Sequence, residues 1–294
     1  MDSQAGRAGG VALVCAAALL WSLGGVFVRF LDDLDAWTIA FWRAAFMTLA
    51  VGGWVLAANG ARTVQVYRAM GWMGVLAGLL LGAAFVVFIL AITRTTVANA
   101  VVLQSAAPLV SAVLGRVFLG EALSPRTVLA IGVAISGVAL MFADSLGGGD
   151  LVGNLLALAV AVAFGAAIVV VRAGRAIDMV PATVLAALFA MAASAPLADL
   201  GSPSLRDFCV LAAMGTLSLG LGQFLFMRGA PRLAAALVGL ICLLEVILAP
   251  IWVWLVHDER PHALALAGGA VVLAALVVHS ALGIRRSKPP VGMA

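Results

Sequence analysis

Residues 233–256 read LAAALVGLICLLEVILAPIWVWLV, a run of 24 residues in which Glu245 is the single charged side chain. At 1.5 Å per residue a helix of this length measures about 36 Å, enough to cross the roughly 30 Å hydrocarbon layer of a bilayer. A lone strand would leave its backbone groups unpaired in lipid, and barrel strands would alternate in polarity, so the run reads as a spanning helix. Outward from it the same pattern recurs, giving ten expected spans: 10–31, 36–57, 70–92, 96–118, 125–144, 151–172, 180–199, 207–228, 233–256 and 262–283. Turn-forming pairs and runs fall at the breaks: Asn59-Gly60, Ser124-Pro125, Gly147-Gly148-Gly149, Ser202-Pro203 and Pro261. The first run lacks an A-x-A cleavage site and reads as a retained helix.

Composition excludes the main alternatives. Of 294 residues 65% are hydrophobic and 10% charged, with mean hydropathy +1.19. A soluble domain is about half apolar and a quarter charged, so this chain cannot coat a water-soluble globule or behave as a disordered tail. The net charge of +4 is spread singly or in pairs between apolar runs and is not gathered into a nucleic-acid surface. Cys15, Cys209 and Cys242 lie inside apolar runs without CxxC spacing, so neither a disulfide framework nor a metal site is expected. His257, His262 and His279 are isolated and match no zinc motif.

With a cytoplasmic N-terminus, twelve basic residues fall on the inner side, Arg7, Arg62, Arg68 and Lys288 among them. Four fall outside (Arg29, Arg94, Arg206 and Arg260), with Arg43 inside the second span. The positive-inside rule then predicts that both termini are cytoplasmic. Sixteen arginines against one lysine suggest a GC-rich bacterial genome, and so a bacterial inner (plasma) membrane.

The chain also matches itself. At an offset of 143, Arg29 and Asp35 fall on Arg172 and Asp178; at 138, Arg94, Ala98 and Glu121 fall on Arg232, Ala236 and Glu259. The second offset puts Gly74, Gly78 and Gly82 on Ala212, Thr216 and Gly220, small residues at fourth positions that let helices approach closely. Each unit holds five spans, an odd number, so the second enters the membrane from the opposite side. Inverted repeats of this kind mark many secondary carriers, whose site lies near the midplane between repeats. The expected organisation is an N-terminal segment 1–9, a first repeat 10–144, a glycine-rich linker 145–150, a second repeat 151–283 and a basic tail 284–294.

Trp21-Ser22, Arg43, the stretch Pro108 to Glu121 (PLVSAVLGRVFLGE) and the stretch Glu245 to Glu259 (EVILAPIWVWLVHDE), within a ten-span chain of two five-span units, resemble the drug/metabolite transporter superfamily, specifically its EamA-type carriers. The family's common Glu-Pro in helix nine is here Glu245-Val246, with the proline displaced to Pro250. The resemblance implies transport, commonly export, of amino acids or similar small metabolites through a cavity lined by helices one, three, four, six, eight and nine. It implies no cofactor. The implied partners are a small-molecule substrate, protons and the lipid bilayer.

Among candidate site residues, Glu245 is thirteenth of its 24-residue span and so near mid-bilayer. A carboxyl there costs about 2.5–3.5 kcal/mol on insertion scales. It is either a ligand for a substrate ammonium or proton, or a protonated acid bonded to a neighbouring helix. Gln104, Ser105, Pro108 and Ser111 share one face of helix four, as a cavity wall or as helix-to-helix glue. Trp21 and Ser22 lie mid-span in helix one, able to stack on a substrate or to pack the core. Phe85 and Phe88 on helix three, Phe164 on helix six and Gln223 on helix eight are further cavity candidates, with aromatic core packing as the alternative. Arg43, about 10 Å into helix two, is expected to snorkel to the headgroups or to Asp35. Glu121 and Glu259 read as helix caps or partners for nearby arginines.

An enzyme is not expected. Gly147-Gly148-Gly149-Asp150 matches the GxGD of aspartyl intramembrane proteases only superficially, since it lies in a loop and no second intramembrane aspartate accompanies it. The competing reading is a proton-coupled efflux carrier for cationic drugs, in which a single membrane glutamate exchanges protons for cations.

Overall fold

A computed structural model describes residues 2–31, 33–120, 125–145, 151–174, 179–232, 235–259 and 263–286; among them no strand occurs. The first half comprises α1 (Asp2–Ser22), α2 (Gly24–Arg29), α3 (Ala36–Met47), α4 (Gly53–Asn59), α5 (Thr63–Ile92), α6 (Val97–Gln104), α7 (Ala107–Leu119) and α8 (Pro125–Ser145). The second comprises α9 (Leu151–Ala173), α10 (Val180–Ser194), α11 (Leu205–Ala213), α12 (Gly222–Gly229), α13 (Ala235–His257) and α14 (Ala263–Arg286). Glu121, Asp178, Arg260 and positions 146–150 of the expected linker lie outside the described residues.

Among the described residues five stretches are long and apolar enough to cross a membrane: Ala8–Arg29, Ala36–Ile92, Val97–Leu119, Leu151–Val171 and Leu205–Gly229. The second holds 57 residues, about 85 Å if straight, far more than one bilayer. It turns at Gly60, between α4 and α5, and bends again at Gly71 inside α5, where φ is +53° and +56°, the left-handed region that a side chain would strain. Shorter apolar helices include Val180–Ser194, Leu244–His257 and Leu266–Ala275. Leu49, Val117, Phe118, Leu129, Leu205 and Leu255 are each more than two-thirds exposed, a surface that suits lipid and would aggregate in water. This is a polytopic all-α membrane protein.

Several elements differ from the sequence expectation at their ends. The first helix begins at Asp2, inside the expected tail, and α10 stops at Ser194, short of position 199. The fourth expected span is two helices, interrupted at Ser105–Ala106 just before Pro108. Proline has no N–H for the Gln104 carbonyl and its ring crowds the preceding turn, so the helix restarts there. Pro250, by contrast, is carried inside an unbroken α13.

The packing is nearly unchanged when the halves are exchanged. α5 packs on α9 as α12 packs on α1; α7 packs on α9 as α13 packs on α1; α10 packs on α5 as α3 packs on the segment between α11 and α12. α8–α14, α3–α10 and α6–α13 pair each half with its own counterpart. All of these contacts cross between halves, so the two halves share one packed interior.

The halves also run in opposite directions. Gly153, at the start of α9, lies where a Cβ would meet the Arg94 backbone at 2.7 Å. Arg29, at the end of α2, donates to the Ile92 and Thr95 carbonyls at that same end of the molecule. The first helix therefore ends where its counterpart begins. At the far end Gly229 meets Leu13 and the Gly10 carbonyl, and Gly9 faces Arg232. These are the positions the 143 and 138 offsets pair with Gly153 and Arg94.

The small-residue stripe is used unequally. A Cβ on Gly78 or Gly82 would lie 3.3 or 2.7 Å from the Ala182 or Ala186 carbonyl of α10, whereas Gly74 faces Met70 of the same helix near the Gly71 bend. In the second half the stripe is displaced. Residues Met214–Leu221 form a π-helical stretch, whose i→i+5 turns insert an extra residue and rotate the next turns of the helix. Ala212 accepts the Thr216 hydroxyl within the same helix at 2.6 Å, and Gly220 faces the Gly215 carbonyl of its own helix. Close approach passes instead to Gly215, where a Cβ would lie 2.5 Å from the Arg43 carbonyl, and to Gly222, where one would meet the Trp21 ring.

Candidate functional site

Glu245 falls at the middle of α13, is partly exposed, and has no hydrogen-bond partner among the described residues. Pro250 in the same helix removes the usual donor to the Val246 carbonyl, leaving a backbone acceptor beside the carboxyl. Trp252, seven residues on and so on nearly the same face, donates its indole N–H to Ser22 Oγ at 3.1 Å. Ser22 is fully buried and in turn donates to the Leu19 carbonyl at 2.7 Å. These bonds seat the Glu245 face of α13 against α1, with Cys242 one turn before the glutamate.

Trp21 sits beside that contact and leans away from it onto α12. Its ring lies 2.6 Å from where a Gly222 side chain would begin and packs on Phe226 with centroids 5.1 Å apart. The Trp21 indole N–H is buried without an acceptor among the described residues. Two packed helices, α1 and α13, thus carry a buried indole donor and a carboxyl that no described residue bonds. Aromatic faces and a carboxylate are the two groups that attract an organic cation or ammonium.

The counterpart region lies among α5, α6, α7 and α9. Phe85 is buried at 7% exposure, while Phe88 and Phe164 are half-buried. Phe164 packs both on the cluster containing Phe85 and on Ala106 and Ala107 at the break before Pro108. Gln104 is partly exposed with no hydrogen-bond partner among the described residues. Ser105 donates to its own Val102 carbonyl at 2.6 Å, and Ser111 and Gln223 are buried. Among the described side chains of the helix-four stripe, Gln104 alone presents an unoccupied and accessible polar group. The Pro108 ring lies outside the described side chains.

Sequence reasoning missed Phe226, Trp252 and Gly222. The signals were present: at the 138 offset Phe226 falls on Phe88 and Gln223 on Phe85, and at the 143 offset Trp21 falls on Phe164. The aromatic candidates are thus exchange-related, while Glu245 falls opposite Ala107 and breaks the symmetry.

Arg43 does not snorkel. It is 5% exposed and donates Nη2 to the Phe85 carbonyl at 2.5 Å, with its Nε unpartnered among the described residues. Asp35 is occupied elsewhere, accepting the Trp37 and Thr38 N–H groups at 2.8 and 3.0 Å as the cap of α3. A helix already capped by its own aspartate leaves the arginine no outward partner, so it turns inward. Glu259 behaves as a cap and arginine partner, bonding Arg29 and the Val97 N–H.

The likeness to known proteins extends over nearly the whole chain. The family description "EamA-like transporter family" matches residues 8–143 and again 151–281. A solved crystal structure is 21% identical, with the alignment covering 95% of this chain and 99% of the other at a TM-score of 0.65. No curated protein matches.

Proposed function

The chain belongs to the EamA-like transporter family, and from that premise we propose that it exports amino acids or similar small metabolites across the bacterial inner membrane. Both termini lie in the cytoplasm in this reading, and the halves 10–144 and 151–283 rock about their shared interface to expose one site to either side in turn. Repeats of opposite direction can close one face or the other at comparable energy, which alternating access requires.

The observation that carries the reading is Glu245, a carboxyl at mid-helix with no hydrogen-bond partner among the described residues. A structural glutamate in lipid would be bonded to a neighbouring helix. A carboxyl left open is available to a substrate ammonium or a proton. Trp21 and Phe226 supply the aromatic wall, and Gln104 a neutral polar group from the facing half.

The Trp21–Phe226 pair favours a second reading, efflux of organic cations in exchange for protons at the same carboxyl. Proteoliposome flux with a panel of amino acids and cationic dyes, with and without a pH gradient, separates the two. Saturable amino-acid flux supports the first; dye–proton exchange alone supports the second.

A further inference from the structure

Four helix ends meet around one arginine. Arg29, the last residue of α2, donates Nε to Glu259 Oε2 at 2.6 Å, Nη1 to the Ile92 carbonyl at 2.9 Å and Nη2 to the Thr95 carbonyl at 3.1 Å. The second Glu259 oxygen accepts the Val97 N–H at 2.8 Å, at the first turn of α6. One ion pair therefore ties the ends of α2, α5, α6 and α13, and it crosses from the first half to the second.

The chain is bent to make this contact. Asp258 is the one non-glycine with positive φ among the described residues, at 52°, and its turn brings Glu259 back over the helix ends. Beneath the pair the closure is apolar. A Cβ on Gly25 would meet Val97 Cγ1 at 2.7 Å and Val253 Cγ2 at 3.2 Å, so the Val97 and Val253 side chains press directly on the α2 backbone and leave no room for a side chain there. The level below is the Ser22–Trp252 bond, and below that Glu245.

We propose that the Arg29–Glu259 pair is the latch that holds this end of the carrier shut, and that it must open whenever the Glu245 region is exposed to this side. The inference rests on the alternating-access reading. The two side chains are 19% and 20% exposed, so water reaches both charges and can take up their hydrogen bonds as the ends separate. Separating a dry pair would leave two uncompensated charges, whereas here water takes their place.

The test uses the full chain with Cys15→Ala and Cys209→Ala, leaving Cys242, one turn from Glu245, as the reporter. A membrane-impermeant maleimide is added from the Arg29 side, that side being identified by parallel labelling of exposed Asp33→Cys. Glu259→Gln and Arg29→Gln should each speed Cys242 labelling by about tenfold, the shift expected when one charge-assisted contact stops biasing the closed state. An unchanged rate in both overturns the latch. If Arg29→Gln does not fold, Glu259→Gln decides. In Arg29→Cys/Glu259→Cys, a short reducible bis-thiol crosslinker should arrest flux until reductant is added, whereas continued flux while crosslinked also overturns it. Labelling needs no substrate, so it reads the latch even where Glu245 proves uninvolved in transport.

Discussion

The Trp252 indole N–H reaches the Ser22 hydroxyl at 3.1 Å, and this bond fixes the rotation of α13 against α1 two turns from Glu245. Hydrogen bonds between membrane helices contribute about 0.6 kcal/mol on average and up to about 1.7. Trp252→Phe keeps an aromatic ring and removes the donor, so it should lower unfolding stability within that range. Ser22→Ala should cost at least as much, because it leaves a part-buried indole N–H without its acceptor. In the double variant the losses should not add; additive losses in detergent unfolding would show that the two groups are not coupled.

Gly222 makes room for Trp21. A methyl there would start 2.6 Å from the indole, and overpacking of this kind costs about 1–3 kcal/mol. Gly222→Ala should displace Trp21, lowering Tm and shifting tryptophan emission. Gly53→Ala, where a Cβ meets nothing within 4 Å, should leave both unchanged.

The two-fold relation predicts matched costs at opposite ends. Gly153→Ala would press on the Arg94 backbone and Gly229→Ala on Leu13 and the Gly10 carbonyl, each under 3.1 Å. Both should destabilise by about 1–3 kcal/mol, while Gly132→Ala in open surroundings should not. Tolerance of one and not the other would mean that the two ends are not equivalently packed.

Topology can be read by labelling. Thr38 bonds Asp199 through its hydroxyl, accepting the Asp199 N–H at 2.8 Å, so the start of α3 and the residues after α10 share an end. Cysteines at exposed Asp33 and Gly201 should react with an impermeant reagent from outside, and one at exposed Arg62 only from the cytoplasm. Labelling of all three from one side would refute the arrangement.

Much of the architecture was legible because it is dictated by solvent. A bilayer demands long apolar helices, and the runs and their glycine and proline breaks are local properties of the chain. The repeat was legible because Arg94/Arg232 and Glu121/Glu259 keep a fixed offset. Three features were not. The π-helical stretch at Met214–Leu221 shifts the contact stripe to Gly215 and Gly222, and no local signal announces it. Arg43 turns inward because Asp35 is already engaged in capping, a competition between residues eight apart that spacing alone does not reveal. The partnerless state of Glu245 among the described residues depends on every helix around it, so sequence could pose its two readings without weighing neighbours.

The measurement closest to the central claim is flux through Glu245→Gln in proteoliposomes across a range of pH. Glutamine keeps the size and hydrogen-bonding capacity of the side chain but can neither carry a negative charge nor exchange a proton. The account predicts that net transport is lost or becomes independent of the proton gradient, with the protein still folded and inserted. Full flux with the pH dependence of the unaltered chain would contradict it.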